Sequence, residues 1–155
     1  MRSKRSFIYD IELNDWTEGP SLLTARCKHS SCAIQSADGT IKAVIILGGE
    51  IHHQSKRENA DTTEIFLIKE RKWIQGPKLP NEMDRTTCVA LPFSINYHCI
   101  VIGGMGWGGI AIDSVNPGHT MYENVYGLGR SLTAWTFLGR IERKKREYHI
   151  ALPIS

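Results

Sequence analysis

Two stretches of the chain, "KAVIILGGE" at 42–50 and "YHCIVIGGM" at 97–105, carry apolar runs that stop on a glycine pair. A run without polar alternation suits a strand covered on both faces. Around the first run the pattern changes: "TEIFLI" and "RKWIQ" mix polar with apolar positions, as strands nearer solvent do. Four strands are therefore expected at about 28–35, 41–47, 62–68 and 71–75. The proline in "WTEGP" and "WIQGP" ends the last strand of each set, because proline has no N–H to give to a ladder.

The pattern recurs. The glycine pairs Gly48-Gly49 and Gly103-Gly104 are 55 residues apart (103 minus 48). Tyr9 precedes Trp16 by seven residues, and Phe66 precedes Trp73 by the same interval. After each tryptophan comes a Gly-Pro turn, then an arginine, Arg26 or Arg85, and then an apolar strand. A third copy starts at Tyr126 with Trp135 nine residues on (135 minus 126), two more than in the others, and continues through Gly139 to Arg146. A fixed period makes these residues marks of a structural unit before anything else. It also disposes of a nucleotide loop: Gly104, Gly106 and Gly109 spell GxGxxG, but a glycine-rich stretch leading to "NPGH" follows where that loop needs a helix.

The order glycine pair, aromatic, tryptophan about seven residues on, Gly-Pro and arginine resembles the kelch repeat. The resemblance implies an all-β fold, a β-propeller of kelch type with one four-stranded blade per repeat. It covers residues 1–155 as the end of one blade (5–19), a full blade (20–76), a second (77–139) and the first strand of a further one (146–153). That is two and a half to three blades, where propellers have about four to eight. The chain is therefore expected to be a fragment, or a part needing further blades or self-association. Phe66 in place of tyrosine, the stretched Tyr126–Trp135 interval and the missing glycine pair after Arg146 depart from the pattern. The resemblance implies that the tryptophans pack between adjacent blades.

Composition adds limits. Apolar residues are 41% and charged residues 23% of the chain, ordinary values for a globular protein. No apolar run is long enough for a membrane helix, and no apolar stretch follows the basic start "MRSKRSFIYD" as in a signal peptide. The net charge of +3 does not call for nucleic acid, and the basic run "RIERKKR" at 140–146 reads as a solvated loop. Cys27, Cys32, Cys88 and Cys99 form no CxxC pair; the last three lie in apolar stretches, where a free thiol serves as a small hydrophobe. With no N-x-S/T acceptor, this points to a reducing, cytoplasmic setting.

Alternating strand direction puts 17–26, 50–61, 76–85, 105–121 and 139–146 on one face, the candidate binding face. It offers Arg26, Arg85 and Arg146 to an acidic peptide, unless they bond neighbouring backbone. It also offers His52, His53 and Arg57 in "EIHHQSKREN", with Trp107 and Asp113 in "MGWGGIAIDSV". Trp107 reads equally as a hot-spot anchor or as a plug over the loop base. The adjacent histidines lack a third ligand, so no metal or other cofactor is expected. No GxSxG elbow and no paired carboxylates stand out, so no enzyme is expected. The expected function is protein–protein interaction; relatives in the kelch family recruit substrates to ubiquitin ligases or bind actin filaments. The alternative is a piece of an extracellular or enzymatic kelch-fold protein, of oxidase or sugar isomerase type.

Overall fold

The computed structural model describes residues 2–53, 56–92, 94–107 and 119–141. Among these the protein is all-β, with no helix and several antiparallel sheets; none of the sheets closes into a ring.

A hairpin of β1 (Phe7–Asp10) and β2 (Asp15–Glu18) comes first. The first four-stranded sheet follows, built from β3 (Ser30–Gln35), β4 (Ile41–Leu47), β7 (Thr63–Leu67) and β8 (Lys72–Gln75) in the order β3-β4-β7-β8. Between β4 and β7 stands a small hairpin, β5 (Glu50–His53) and β6 (Lys56–Asn59). The second four-stranded sheet repeats the plan with β9 (Thr87–Ala90), β10 (Tyr97–Ile102), β13 (Asn124–Gly129) and β14 (Trp135–Arg140), again in chain order across the sheet. Its inserted hairpin is β11 (Met105–Trp107) with β12 (His119–Met121).

The apolar runs lie where burial is greatest. Ile45 and Leu47 are fully enclosed in β4, and Val101 and Cys99 in β10. Each aliphatic side chain so covered contributes about 1.5–3 kcal/mol of transfer free energy. One core cluster joins Ile34, Ala43, Ile45 and Ile65 of the first sheet to Cys99 and Leu128 of the second. The interface also carries a covalent link. Cys32 of β3 is disulfide-bonded to Cys88 of β9, with Cα atoms 5.9 Å apart and a sequence separation of 56. This corrects the expectation that both are free thiols. Cys27 and Cys99 are the free cysteines. In a chain-entropy picture a cross-link over that span stabilises by about 4 kcal/mol.

The glycine pairs have steric reasons. Gly48 has φ +62° and Gly49 φ +92°, a region that favours glycine, and a Cβ on Gly49 would stand 2.6 Å from the Cys27 carbonyl oxygen. Gly104 repeats this at φ +114°. The Gly-Pro turns serve as junctions. The Pro20 carbonyl accepts from the Ser6 hydroxyl at 2.8 Å and from the Trp73 indole N–H at 2.9 Å. The Pro77 carbonyl accepts from the Thr63 hydroxyl at 2.9 Å and from the Trp135 indole at 3.1 Å. Each turn therefore ties its own unit to the tryptophan of the next.

Strand register resolves the stretched third interval. In β7–β8, Phe66 lies opposite Trp73; in β13–β14, Leu128 lies opposite Trp135. Leu128 is seven residues before Trp135 (135 minus 128), so the spacing is kept and Leu128 replaces the aromatic. Tyr126 occupies instead the position of Glu64: Glu64 lies opposite Ile46, and Tyr126 opposite Val101.

Candidate functional site: the hairpin face

Both inserted hairpins rise from the same face of the two sheets. The link is direct, through the Asn59 side-chain amide donating to the Met105 carbonyl at 2.9 Å. The turns that follow the tryptophans arrive there too, with Leu79 N–H donating to the Asp61 carbonyl at 2.7 Å and Met83 N–H to the Ala60 carbonyl at 3.2 Å. The stretches 50–59 and 105–121, expected as open loops, are hairpins where described. Their sequences hid this, because "EIHHQSKREN" has neither apolar alternation nor a glycine turn.

Arg26 is on this face in sequence but not available to a ligand. Its side chain is fully enclosed and forms a 2.7 Å ion pair with Glu64. It also donates to the carbonyls of Gly48 at 2.6 Å and Thr62 at 3.1 Å. Glu64 in turn accepts from the N–H groups of Leu23 at 2.7 Å and Thr24 at 2.9 Å. The pair locks the incoming turn onto its own sheet, so the expected grip on an acidic peptide does not come from Arg26. In the second unit neutral groups replace this lock: the Asn81 and Asn124 side-chain amides each donate to the Tyr126 hydroxyl at 2.9 Å.

Arg85 is not the counterpart of Arg26. The bridge Cys27↔Glu50 corresponds to Asp84↔Met105, which aligns Arg85 with Lys28. Both share left-handed backbone, φ 56° at Lys28 and 52° at Arg85. Arg85 is half-buried and donates to the Met105 sulfur at 3.1 Å. Lys28 donates to the buried Glu50 carboxylate at 2.7 Å, and Arg2 pairs with the same carboxylate. The paired arginines read from sequence are therefore one structural lock and one half-buried cation 3.9 Å from the buried Asp84 carboxylate.

His52 is exposed on β5 and lines a depression of about 610 Å³ with Arg2, Lys4, Leu23, Thr24 and Ala25. In register it lies opposite Arg57, and His53 lies opposite Lys56. Trp107 ends β11 opposite His119. The side chains of His53, Arg57 and Trp107 lie outside the described residues, as do Asp113 and Arg146 altogether and the strand expected at 146–153.

Sequence reasoning missed two groups. On the opposite face, Arg130 donates to the Ser94 carbonyl at 2.9 Å through Nε and to the Gln35 carbonyl at 3.1 Å, tying the turn regions of the two sheets. The His98 ring packs against it, with Nδ1 3.2 Å from an Arg130 guanidinium nitrogen. Desolvation and then the Arg130 charge hold His98 below its ordinary value. The second group is a set of three sulfurs: Cys32, Cys88 and Cys99, all within 4.8 Å of one another. Burial pushes the Cys99 thiol up to about 12, so it stays protonated beside the disulfide. Nothing in the spacing of three cysteines over 68 positions (99 minus 32, counted inclusively) signals that they meet.

Among the described residues no helix is long and apolar enough to cross a membrane. No protein-family model matches the chain, and no curated protein matches it. The fold is similar to a solved structure of YjhT, with a TM-score of 0.74 and 11% identity, over 94% of this chain and 48% of that one. The chain thus spans about half the length of that protein, and at this identity the likeness is one of fold alone.

Proposed function

We propose that the chain is an arc of a kelch-type β-propeller and serves as a protein-interaction module, with the hairpin face taking an acidic peptide segment. The propeller reading is supported by the two four-stranded sheets of like order and by the repeated proline-carbonyl junctions to Trp73 and Trp135. The observation that carries the binding reading is the depression on the hairpin face, whose lining holds Lys4, His52 and the Glu50-paired Arg2, with no carboxylate among its described lining residues. Cationic side chains beside the apolar Leu23 and Ala25 suit a carboxylate-bearing segment that also buries some apolar surface. Binding rather than catalysis is the role proposed, in the cytoplasm, with a ubiquitin-ligase substrate or a cytoskeletal filament as the kind of partner.

The test is fluorescence anisotropy with a labelled decapeptide of alternating glutamate and leucine. Binding should weaken as salt rises, because exposed charges are screened within about 8 Å at physiological ionic strength. The double variant Lys4→Glu and His52→Glu should lose it, while the same peptide with glutamine for glutamate should not bind. Equal binding by wild type and the reversed variant removes this face from the proposal.

A second reading is favoured by the Cys32–Cys88 disulfide. Such bonds persist in oxidising compartments, which suits an extracellular kelch-fold protein. Intact mass before and after reduction, on protein made in an oxidising and in a reducing host compartment, separates the two readings.

A further inference from the structure

The sulfurs of Cys32, Cys88 and Cys99 meet at the interface between the two four-stranded sheets, each from a different strand. Their neighbours in the core cluster are Ile34, Ala43, Ile45, Ile65 and Leu128, all aliphatic. Among the described residues no histidine or carboxylate joins the group. Such a set discriminates between metals. Magnesium and calcium require oxygen ligands, and zinc is held almost always by four ligands in a tetrahedron. Soft thiolates without oxygen or nitrogen suit Cu(I), a monovalent ion of low coordination number.

We propose that, once the Cys32–Cys88 bond is reduced, the three cysteines form a buried site for one Cu(I) ion, and that the disulfide closes this site. A dithiol reductant opens the bond: two electrons and two protons pass to the sulfurs of Cys32 and Cys88 while the reductant forms its own disulfide. Cu(I) then binds the sulfurs, and each thiol that binds as thiolate gives one proton to solvent. Copper stays Cu(I) throughout. Cys88 is half-buried, while Cys32 and Cys99 are buried. The ion therefore enters past Cys88, and part of the site's negative charge lies near water. The cation also holds together the two sheets that the disulfide joins in the oxidised state.

The experiment titrates reduced, reductant-free protein with Cu(I) under argon against a chromophoric Cu(I) chelator. The probe is the metal alone, and Cys27→Ser is the background, to remove the other free thiol. The expected result is one Cu(I) per chain, three sulfur neighbours by X-ray absorption, and no uptake by the oxidised protein. Cys99→Ala should weaken binding about tenfold or more, the scale that loss of even an outer partner reaches, and leave two sulfur neighbours. Circular dichroism checks that this variant remains folded. If it does not, the melting temperature of reduced Cys27→Ser protein with and without one equivalent of Cu(I) decides, and a rise supports the site. No uptake in competition with the chelator, equal affinity in folded Cys99→Ala, equal uptake by oxidised protein, or an unchanged melt would each overturn it.

Discussion

Arg26 and Glu64 form a charge pair with almost no solvent contact, 0% and 2% side-chain exposure. Removing one partner of such a pair leaves an uncompensated buried charge and typically costs about 3–5 kcal/mol. Glu64→Gln should therefore lower the urea midpoint strongly, whereas Lys78→Ala, which breaks a more exposed pair with Asp61, should shift it little. Equal effects from both would mean that the Arg26–Glu64 lock is not structural. His98 supplies a pH effect. Its folded-state value lies below the ordinary 6.5, so folding favours the neutral ring. The stability tied to that neutrality is complete above pH 6.5 and falls as pH drops toward the lowered folded value. The melting temperature should decline between pH 7 and pH 5 more steeply in wild type than in His98→Gln; parallel curves would show that the ring does not contribute.

At the scale of the element, period and punctuation were legible. The apolar runs, glycine pairs and tryptophans fixed β4, β10, β8 and the turns, because each answers a local steric or hydrogen-bonding demand. Gly49→Ala tests one such demand. With φ +92° and the Cys27 carbonyl 2.6 Å from an added Cβ, the substitution should cost more than about 1 kcal/mol in denaturant unfolding, while Gly39→Ala, strained at φ +81° but with nothing within 4 Å, should cost less. What stayed hidden depended on pairing across distance. Arg26 and Arg85 look alike in sequence, yet only the bridges to Glu50 and Met105 reveal that Arg85 aligns with Lys28. Tyr126 passed for the aromatic partner of Trp135, a place that Leu128 fills. His98, Arg130 and the three sulfurs come together only through the register and packing of separate strands. No local signal in the sequence carries such convergence.

At the scale of the whole molecule, the tryptophans differ in one decisive respect. Trp73 and Trp135 are half-buried and give their indole N–H to a proline carbonyl of the preceding unit. Trp16 forms the same tilted cross-strand ring pair, 4.9 Å from Tyr9 as Trp73 is 5.1 Å from Phe66, but it is 63% exposed. Phe7 at 50%, Ile11 at 83% and Leu13 at 76% are exposed on the same hairpin, and β1 has a strand on only one of its edges among the described residues. Apolar side chains beside an unpaired strand edge favour association with further β structure. The 155-residue chain by itself should therefore self-associate, with a weight-average mass in light scattering above one chain and rising with concentration. Trp16→Lys with Ile11→Lys should return it toward one chain. Substituting Trp16 by phenylalanine should barely alter unfolding, whereas Trp73→Phe, which gives up a half-buried hydrogen bond, should cost about 1 kcal/mol or more. A monodisperse wild-type monomer with a cooperative melt would mean that the hairpin needs no covering blade, and the propeller-arc reading would lose its main physical support.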